Sequence, residues 1–303
     1  MIRNIPKISV LVICYKQENV IRRALDSLIK QRDYLYEICI NDDKSPDGTW
    51  DIIMDYQSKF PDLIKPIQNN PNLGIFQNIE ATWKRPEGDL IYQLSGDDEC
   101  ADDFFRHVVD YIISNNIDYK NNAICIYGDY QQINVNGSNI VYKNDSVIDT
   151  HPLKAKIRQL ISNRATCFSR KTLERFVDVA KDKSFEVELT QDVELQIFSE
   201  KNFYIPYLGN IYYAGIGVSK HFTKNELEEH LKVYDNFLDF CNNHSIYIDN
   251  SDRNYIEYMK CYRIGNYIKS FIYFLKSIDF SLGWKGLQLE RIFFVLHKRI
   301  LKF

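Results

Sequence analysis

Apolar residues along the chain change their spacing in a regular way as far as about residue 130. Residues 8–13, ISVLVI, are an unbroken β-branched run of the kind that a strand buried on both faces requires. After the polar loop CYKQEN, apolar side chains recur at Val20, Ile21, Ala24, Leu25, Leu28 and Ile29, which is helical spacing. YEICIN (36–41) then predicts a second strand, and Trp50, Ile52, Ile53, Tyr56 and Phe60 a second helix. The alternation continues through LIKPI, a helix near 75–84, the strand DLIYQL, a helix over 102–115 and the strand AICIYG. Strands alternating with helices predict an α/β fold, a mostly parallel sheet with helices on its faces. Beyond about residue 222 the pattern is helical only, so the chain divides into an α/β domain over 1–221 and a helical region over 222–303.

In open sheets of this kind ligands bind beyond the carboxyl ends of the strands. The polar stretches that follow the strands are CYKQEN, NDDKSPDGT and SGDDE, and they are expected to converge on one rim. NDDKSPDGT carries Asp42, Asp43 and Asp47, with Pro46 and Gly48 as turn formers and Thr49 as the expected helix cap. Asp42, directly after its strand, is best placed to accept a hydrogen bond from a base or ribose; a plain turn with capping acids accounts for the loop equally well. SGDDE puts Asp97, Asp98 and Glu99 side by side, and adjacent carboxylates need a cation or donors among them. Extended backbone would set Asp97 and Glu99 on one side and Asp98 on the other. Mg²⁺ takes one or two carboxylates together with phosphate oxygens, so Asp97 alone, or with Asp98, suffices for a hard cation. Glu99 to Asp103 read better as acids at the start of the next helix. Asp192, in VELTQDVELQIF, lies at the start of a third acid-rich segment, where helix capping is the simpler local explanation.

Composition narrows the classes. With 45% hydrophobic and 26% charged residues the chain builds a full core, and a net charge of -3 gives no general electrostatic case for nucleic acid. Seven scattered cysteines without a C-x-x-C pair indicate neither a disulfide framework nor a zinc site. Met1 to Lys7 run straight into the first strand without a signal-peptide pattern, and the expected location is the cytoplasm. The loop CYKQEN has no glycine, which excludes a G-x-G-x-x-G dinucleotide site there. Residues 264–303 hold seven basic and two acidic residues, net +5, interleaved with Phe, Ile, Leu and Trp284. Such a stretch fits the inner face of an anionic membrane or an ordinary helical cap on the domain.

Five blocks in order resemble the inverting glycosyltransferases of family 2, which have the GT-A fold. ISVLVICYKQENVIRRALDSLIKQ is similar to the opening block, a strand and loop followed by a helix ending Ser-Leu-x-x-Gln. INDDKSPDGTWDI resembles a Val-Asp-Asp-Gly-Ser-x-Asp-Gly-Thr block, NNPNLGIFQN an Asn-x-Gly-x-x-x-x-Arg-Asn block, and GDLIYQLSGDD the strand ending in Asp-x-Asp. TQDVELQIF resembles the segment carrying the catalytic base. Ser95, Gln77 and Gln191 depart from the usual acid, arginine and glutamate, and YYAGIGVSKHF lacks an expected arginine.

The resemblance covers about residues 7–220. It implies a sugar moved from a nucleoside-diphosphate donor, UDP the first expectation, to a hydroxyl of a glycan acceptor in bacterial cell-surface polysaccharide synthesis. A lipid-linked acceptor would give membrane contact through the C-terminal helices a use. By position it implies donor contacts at Cys14, Tyr15, Glu18, Asp42, Asn78 and Asp98, with Tyr15 and Asp42 holding the base. It implies a divalent cation, Mn²⁺ or Mg²⁺, at Asp97 and a general base at Asp192. Two other classes stay open at this point: a nucleotide-sugar binder without chemistry on the same fold, and a membrane-surface assembly protein.

Overall fold

ISVLVI forms β1 (Ile8–Cys14), in which every residue except Ile13 is buried. The computed structural model of the chain describes residues 5–143, 165–179, 199–215, 235, 238–239, 241–243 and 245–279. β2 (Leu35–Asp42) and β4 (Leu90–Ser95) flank β1, both parallel to it, and β3 (Ile64–Gln68) lies parallel beyond β2. The connections are α1 (Ile21–Ile29), α2 (Thr49–Lys59) and α3 (Ile75–Trp83). The apolar spacing sets the buried faces: Ile21, Ala24, Leu25 and Leu28 of α1, and Ile53 and Tyr56 of α2, point into the core. The chain steps from β1 to β2 to β3, then returns to the other side of β1 for β4. That reversal opens a crevice at the carboxyl ends of β1 and β4.

The second half departs from strict alternation. It holds β5 (Glu99–Cys100), α4 (Phe104–Ser114), β6 (Ile124–Ile133), β7 (Asn139–Tyr142), β8 (Thr166–Ser169), α5 (Arg170–Val179) and β9 (Lys201–Tyr213). The sheet order is β3-β2-β1-β4-β8-β6-β9-β5, with β7 on the free stretch of β6. β5, β7 and β8 run against the other six strands. Parts of 130–170 and 209–221, where the apolar spacing predicts no strand, are therefore strand. Their sequences hid it: all four residues of β7 are exposed, and β9 contains Pro206 and Gly209, residues that ordinarily argue against a strand.

The middle of the sheet is closed by an aromatic cluster. The buried Tyr92 ring meets Phe105 edge-on at 5.2 Å and Phe104 at 5.6 Å, and its hydroxyl donates to the Gly209 carbonyl at 2.9 Å. β9 needs glycine at 209 because a Cβ there would lie 2.6 Å from the Ala165 Cβ and 2.7 Å from the Phe104 ring.

Contacts divide the chain into two compact units, Met1–Pro152 with Ile161–His221, and Leu153–Leu160 with Phe222–Phe303. Within the second, α6 (Asn250–Arg263) is capped by Asp249, whose carboxylate accepts from the Asp252 amide at 2.9 Å. α7 (Tyr267–Lys276) is capped by Asn266 in the same way. The two helices pack through Tyr258 and Phe274, edge to face at 5.3 Å. No helix among the described residues is long and apolar enough to cross a membrane. The basic tail from residue 280 onward lies outside the described residues.

Candidate active site

The polar loops meet at one rim, as the topology requires. The carboxyl ends of β1, β2, β4 and β9 all point to it, because β6 and β9 run in the direction of β4. The loops after β1 and β2 are bound to each other. The amides of Lys16 and Gln17 donate to the hydroxyls of Ser45 (2.9 Å) and Thr49 (2.8 Å), and the Glu18 amide to the Asp47 carboxylate (3.3 Å). In return the Glu18 carboxylate accepts from the Gly48 amide at 2.8 Å. Thr49 is thus the first residue of α2 and not its cap. Gly48 takes the cap position, and the threonine hydroxyl bridges Asp47 and Gln17.

Lys16 and Lys44 both have left-handed backbone, with φ of 56° and 57°. Lys44 stands where the resembled block has glycine, so the loop keeps the turn without the residue that adopts it most easily. Such backbone persists only where the surroundings hold it, and it collects at ligand-binding loops. Here the cross-loop bonds do the holding.

Among the candidate donor contacts, Tyr15 is on the surface of this wall and Cys14, Asp42 and Asn78 are inside it. Tyr15 is 43% exposed, with the Lys16 ammonium 5.1 Å from its ring centre. Asp42 is fully buried: one carboxylate oxygen accepts from the Ser45 hydroxyl, the other from the Ser45 amide (3.1 Å) and the Gln68 amide group (2.8 Å). The Cys14 thiol lies 3.6 Å from the Asn41 carbonyl and 3.7 Å from Asp42, and burial, then the Asp42 charge, raises its pKa well above the ordinary thiol range. It stays a neutral thiol and packs. Asn78 joins Asn69 (2.9 Å) to the Asn41 carbonyl (3.3 Å).

Asp43, which the sequence did not single out, organises the next loop. Its carboxylate accepts from the Asn69 side chain and from the amides of Leu73 and Gly74, each at 2.8 Å. The Asn-Pro-Asn-Leu-Gly stretch is thereby tied to the end of β2.

The three acids after β4 take three different roles. The segment is a turn over residues 96–98 and not extended, yet Asp97 and Glu99 are both half-buried while Asp98 between them is buried. The Asp98 amide closes the turn on the Ser95 carbonyl at 3.0 Å. Asp97 is half-buried at the rim, while Asp98 is buried and accepts from the Tyr213 amide at 3.2 Å. Glu99 belongs to β5 and not to the start of α4, whose first turn has no acid. It pairs with Arg23 at 3.3 Å and accepts from the Tyr213 hydroxyl at 2.6 Å. Burial, then Glu99, pushes the Tyr213 pKa up to about 12, so the phenol remains a donor. A cation and two donors therefore stand among the acids, as their mutual repulsion requires.

Gly96 sets the height of this turn. Its amide donates to the Ile13 carbonyl at 2.9 Å, and a Cβ there would collide with the Gln17 side-chain oxygen while lying 2.7 Å from Ile21 and 3.0 Å from Cys14. Gly96→Ala is expected to lower stability by about 2 kcal/mol through overpacking, read as a reduced urea midpoint with an unchanged slope.

Asp97 would offer a cation carboxylate oxygen, the donor that hard divalent ions prefer. No group of three or more His, Cys, Asp or Glu residues among the described residues could hold a metal ion by itself. A hard cation there would draw the rest of its shell from bound diphosphate and water, which is the ordinary Mg²⁺ arrangement, so the residues fit such an ion. Asp192 and its acid-rich segment lie outside the described residues.

Residues 9–132 match the family described as glycosyl transferase family 2, and the match takes in all three loops of this rim. This stretch is a family 2 glycosyl transferase domain. EpsE of Bacillus subtilis, a glycosyltransferase by name, is 32% identical over 93 residues, 31% of this chain and 34% of EpsE. Chondroitin synthase of Pasteurella multocida is 30% identical over 137 residues, 45% of this chain and 14% of that protein. An uncharacterized protein of Mycobacterium tuberculosis is 36% identical over 95 residues, so the chain spans only 28% of its length. The fold is that of TarS 1-349 from S. aureus in complex with UDP-GlcNAc, with a TM-score of 0.55 at 16% identity, covering 95% of this chain and 91% of that one. GalNAc-T7 with UDP, GalNAc and Mn²⁺ gives 0.51 at 17% identity, over 91% and 57% of the two chains. The family 2 domain and the GT-A architecture expected from the sequence are thus both present.

Proposed function

We propose that the chain transfers a sugar from a nucleoside-diphosphate donor, a UDP-sugar first among them, to a hydroxyl of a glycan acceptor, with inversion at the anomeric carbon. The observation that carries the reading is the Asp97–Asp98 turn at the topological switch point, facing the interlocked loops after β1 and β2, within the family 2 domain. TarS and GalNAc-T7 carry UDP or a UDP-sugar in their crystal structures, which supports a uridine donor.

Each group has a limited task. Tyr15, exposed at the end of β1, offers a ring face to the base, and the wall behind it, built on Asp42, fixes its position. Asp98, held by the Tyr213 amide, orients the turn toward the ribose or donor sugar. Asp97 would hold a Mn²⁺ or Mg²⁺ ion that, when bound, offsets the charge developing on the leaving diphosphate. The acceptor hydroxyl is too weak an acid to ionise at neutral pH, and we assign the removal of its proton to Asp192. A cell-surface polysaccharide, lipid-linked during assembly, is the acceptor class this reading favours.

Titration of the full chain with UDP, in the presence and absence of Mn²⁺, tests it. Binding that appears or tightens with the metal is expected. Failure of UDP, GDP, dTDP and CMP to bind in either condition would sink the donor site. Metal-dependent binding without turnover of any UDP-sugar would leave a binder on the same fold.

A further inference from the structure

α1 carries polar side chains four residues apart, Arg23 and Ser27, and Gln31 follows just past its end. All three reach the same passing segment. The Ser27 hydroxyl accepts from the Cys100 amide at 3.1 Å, and Gln31 donates to the Ala101 carbonyl at 3.0 Å while accepting from the Phe105 amide at 3.3 Å. Ser27 and Gln31 are the Ser and Gln of the Ser-Leu-x-x-Gln block, and they fix where α4 begins. Arg23 performs the corresponding task one turn earlier, at the acids themselves.

The Arg23 guanidinium donates to the Asp97 carbonyl, lies 3.3 Å from the Glu99 carboxylate, and stacks on the Tyr213 ring with its central carbon 3.3 Å from the ring centre. Tyr213 in turn holds Asp98 through its amide and Glu99 through its hydroxyl. One side chain is thus bonded to the backbone of Asp97 and, through Tyr213, to the carboxylate of Asp98. The geometry points to Arg23 as a positioning residue that fixes the two acids of the turn relative to each other, and so sets the affinity of the site for a divalent cation with diphosphate.

The planar fork matters here. A guanidinium stacks on a ring while one arm donates and another edge faces a carboxylate, whereas an ammonium is a point charge with no face to stack. The sign of the effect separates positioning from simple electrostatics. A cation beside a cation site repels it, so an Arg23 that acted only through its charge would weaken metal binding, and its removal would tighten it.

The inference rests on the donor-site reading above. Its test is the gain in UDP affinity on adding Mn²⁺, measured on the full-length wild type, Arg23→Ala and Arg23→Lys, with metal-free UDP affinity as the internal reference. The expected result is a metal-dependent gain smaller by about tenfold in Arg23→Ala and nearly as reduced in Arg23→Lys, with metal-free affinity unchanged. A gain equal to or larger than wild type in both variants would overturn the inference, and so would an equal loss with and without metal. Should Arg23→Ala fail to fold, Arg23→Lys keeps the charge and the stem, and the same criteria apply to it alone. A wild type with no metal-dependent gain overturns the metal reading itself, and with it the role given to Arg23.

Discussion

Asp97→Asn is expected to abolish the Mn²⁺-dependent part of UDP affinity and to lower sugar transfer by about a thousandfold. The amide is isosteric and keeps the main-chain carbonyl that Arg23 binds, so the turn is retained. What disappears is the charge at the rim. Asp98 does not substitute for it, because that carboxylate is buried and already accepts from the Tyr213 amide. Glu99 does not either, since its charge is paired with Arg23 and the same oxygen accepts from the Tyr213 hydroxyl. The variant is therefore expected to unfold at the wild-type urea concentration while losing metal-linked binding in titration. Unchanged metal dependence in Asp97→Asn would move the cation to another residue and remove the main support for the proposed chemistry.

Asp192→Asn is expected to reduce turnover by about a thousandfold while leaving UDP and Mn²⁺ affinity at wild-type values. The reasoning is chemical. An attacking hydroxyl must lose its proton as the bond to the anomeric carbon forms, and a carboxylate is the base that the resembled segment supplies at this position. The replacement keeps size and hydrogen bonding and removes only basicity. UDP release from whichever UDP-sugar the wild type turns over is the readout, with binding followed separately. Wild-type turnover in the variant, or parallel loss of donor binding, would take the role of base away from Asp192.

The pattern of apolar positions disclosed the first half of the sheet closely, because β1, β2 and β4 are buried on both faces and their connecting helices keep a clean apolar stripe. It disclosed the second half poorly. β5 has two residues, β7 has no buried face, and β9 passes through Pro206 and Gly209, so none leaves a periodic trace. At the site, the sequence located the loops but not the division of labour within them. Asp42, Cys14 and Asn78 are adjacent in sequence or topology to the rim, yet their polar atoms are engaged in building its wall. Asp43 looked like its neighbour and carries a separate load, the 69–74 loop. Arg23 and Tyr213 were missed because their partners are 74 and 115 residues away in sequence. The one local trace was the four-residue spacing of Arg23, Ser27 and Gln31 beside an apolar stripe, a polar edge too narrow to distinguish from a solvated one.

The bonds between the loops after β1 and β2 bear on how a ligand is received. Each loop donates main-chain amides to side chains of the other, the Glu18 amide to the Asp47 carboxylate and the Gly48 amide back to the Glu18 carboxylate. The conformational entropy of both loops is therefore surrendered when the chain folds, before any nucleotide arrives. Association then loses little further freedom on this side of the crevice, and more of the contact energy is retained as affinity. In hydrogen exchange the amides of Lys16, Gln17, Glu18 and Gly48 should exchange slowly for such exposed positions, at rates set by a joint opening of the two loops rather than by each loop alone.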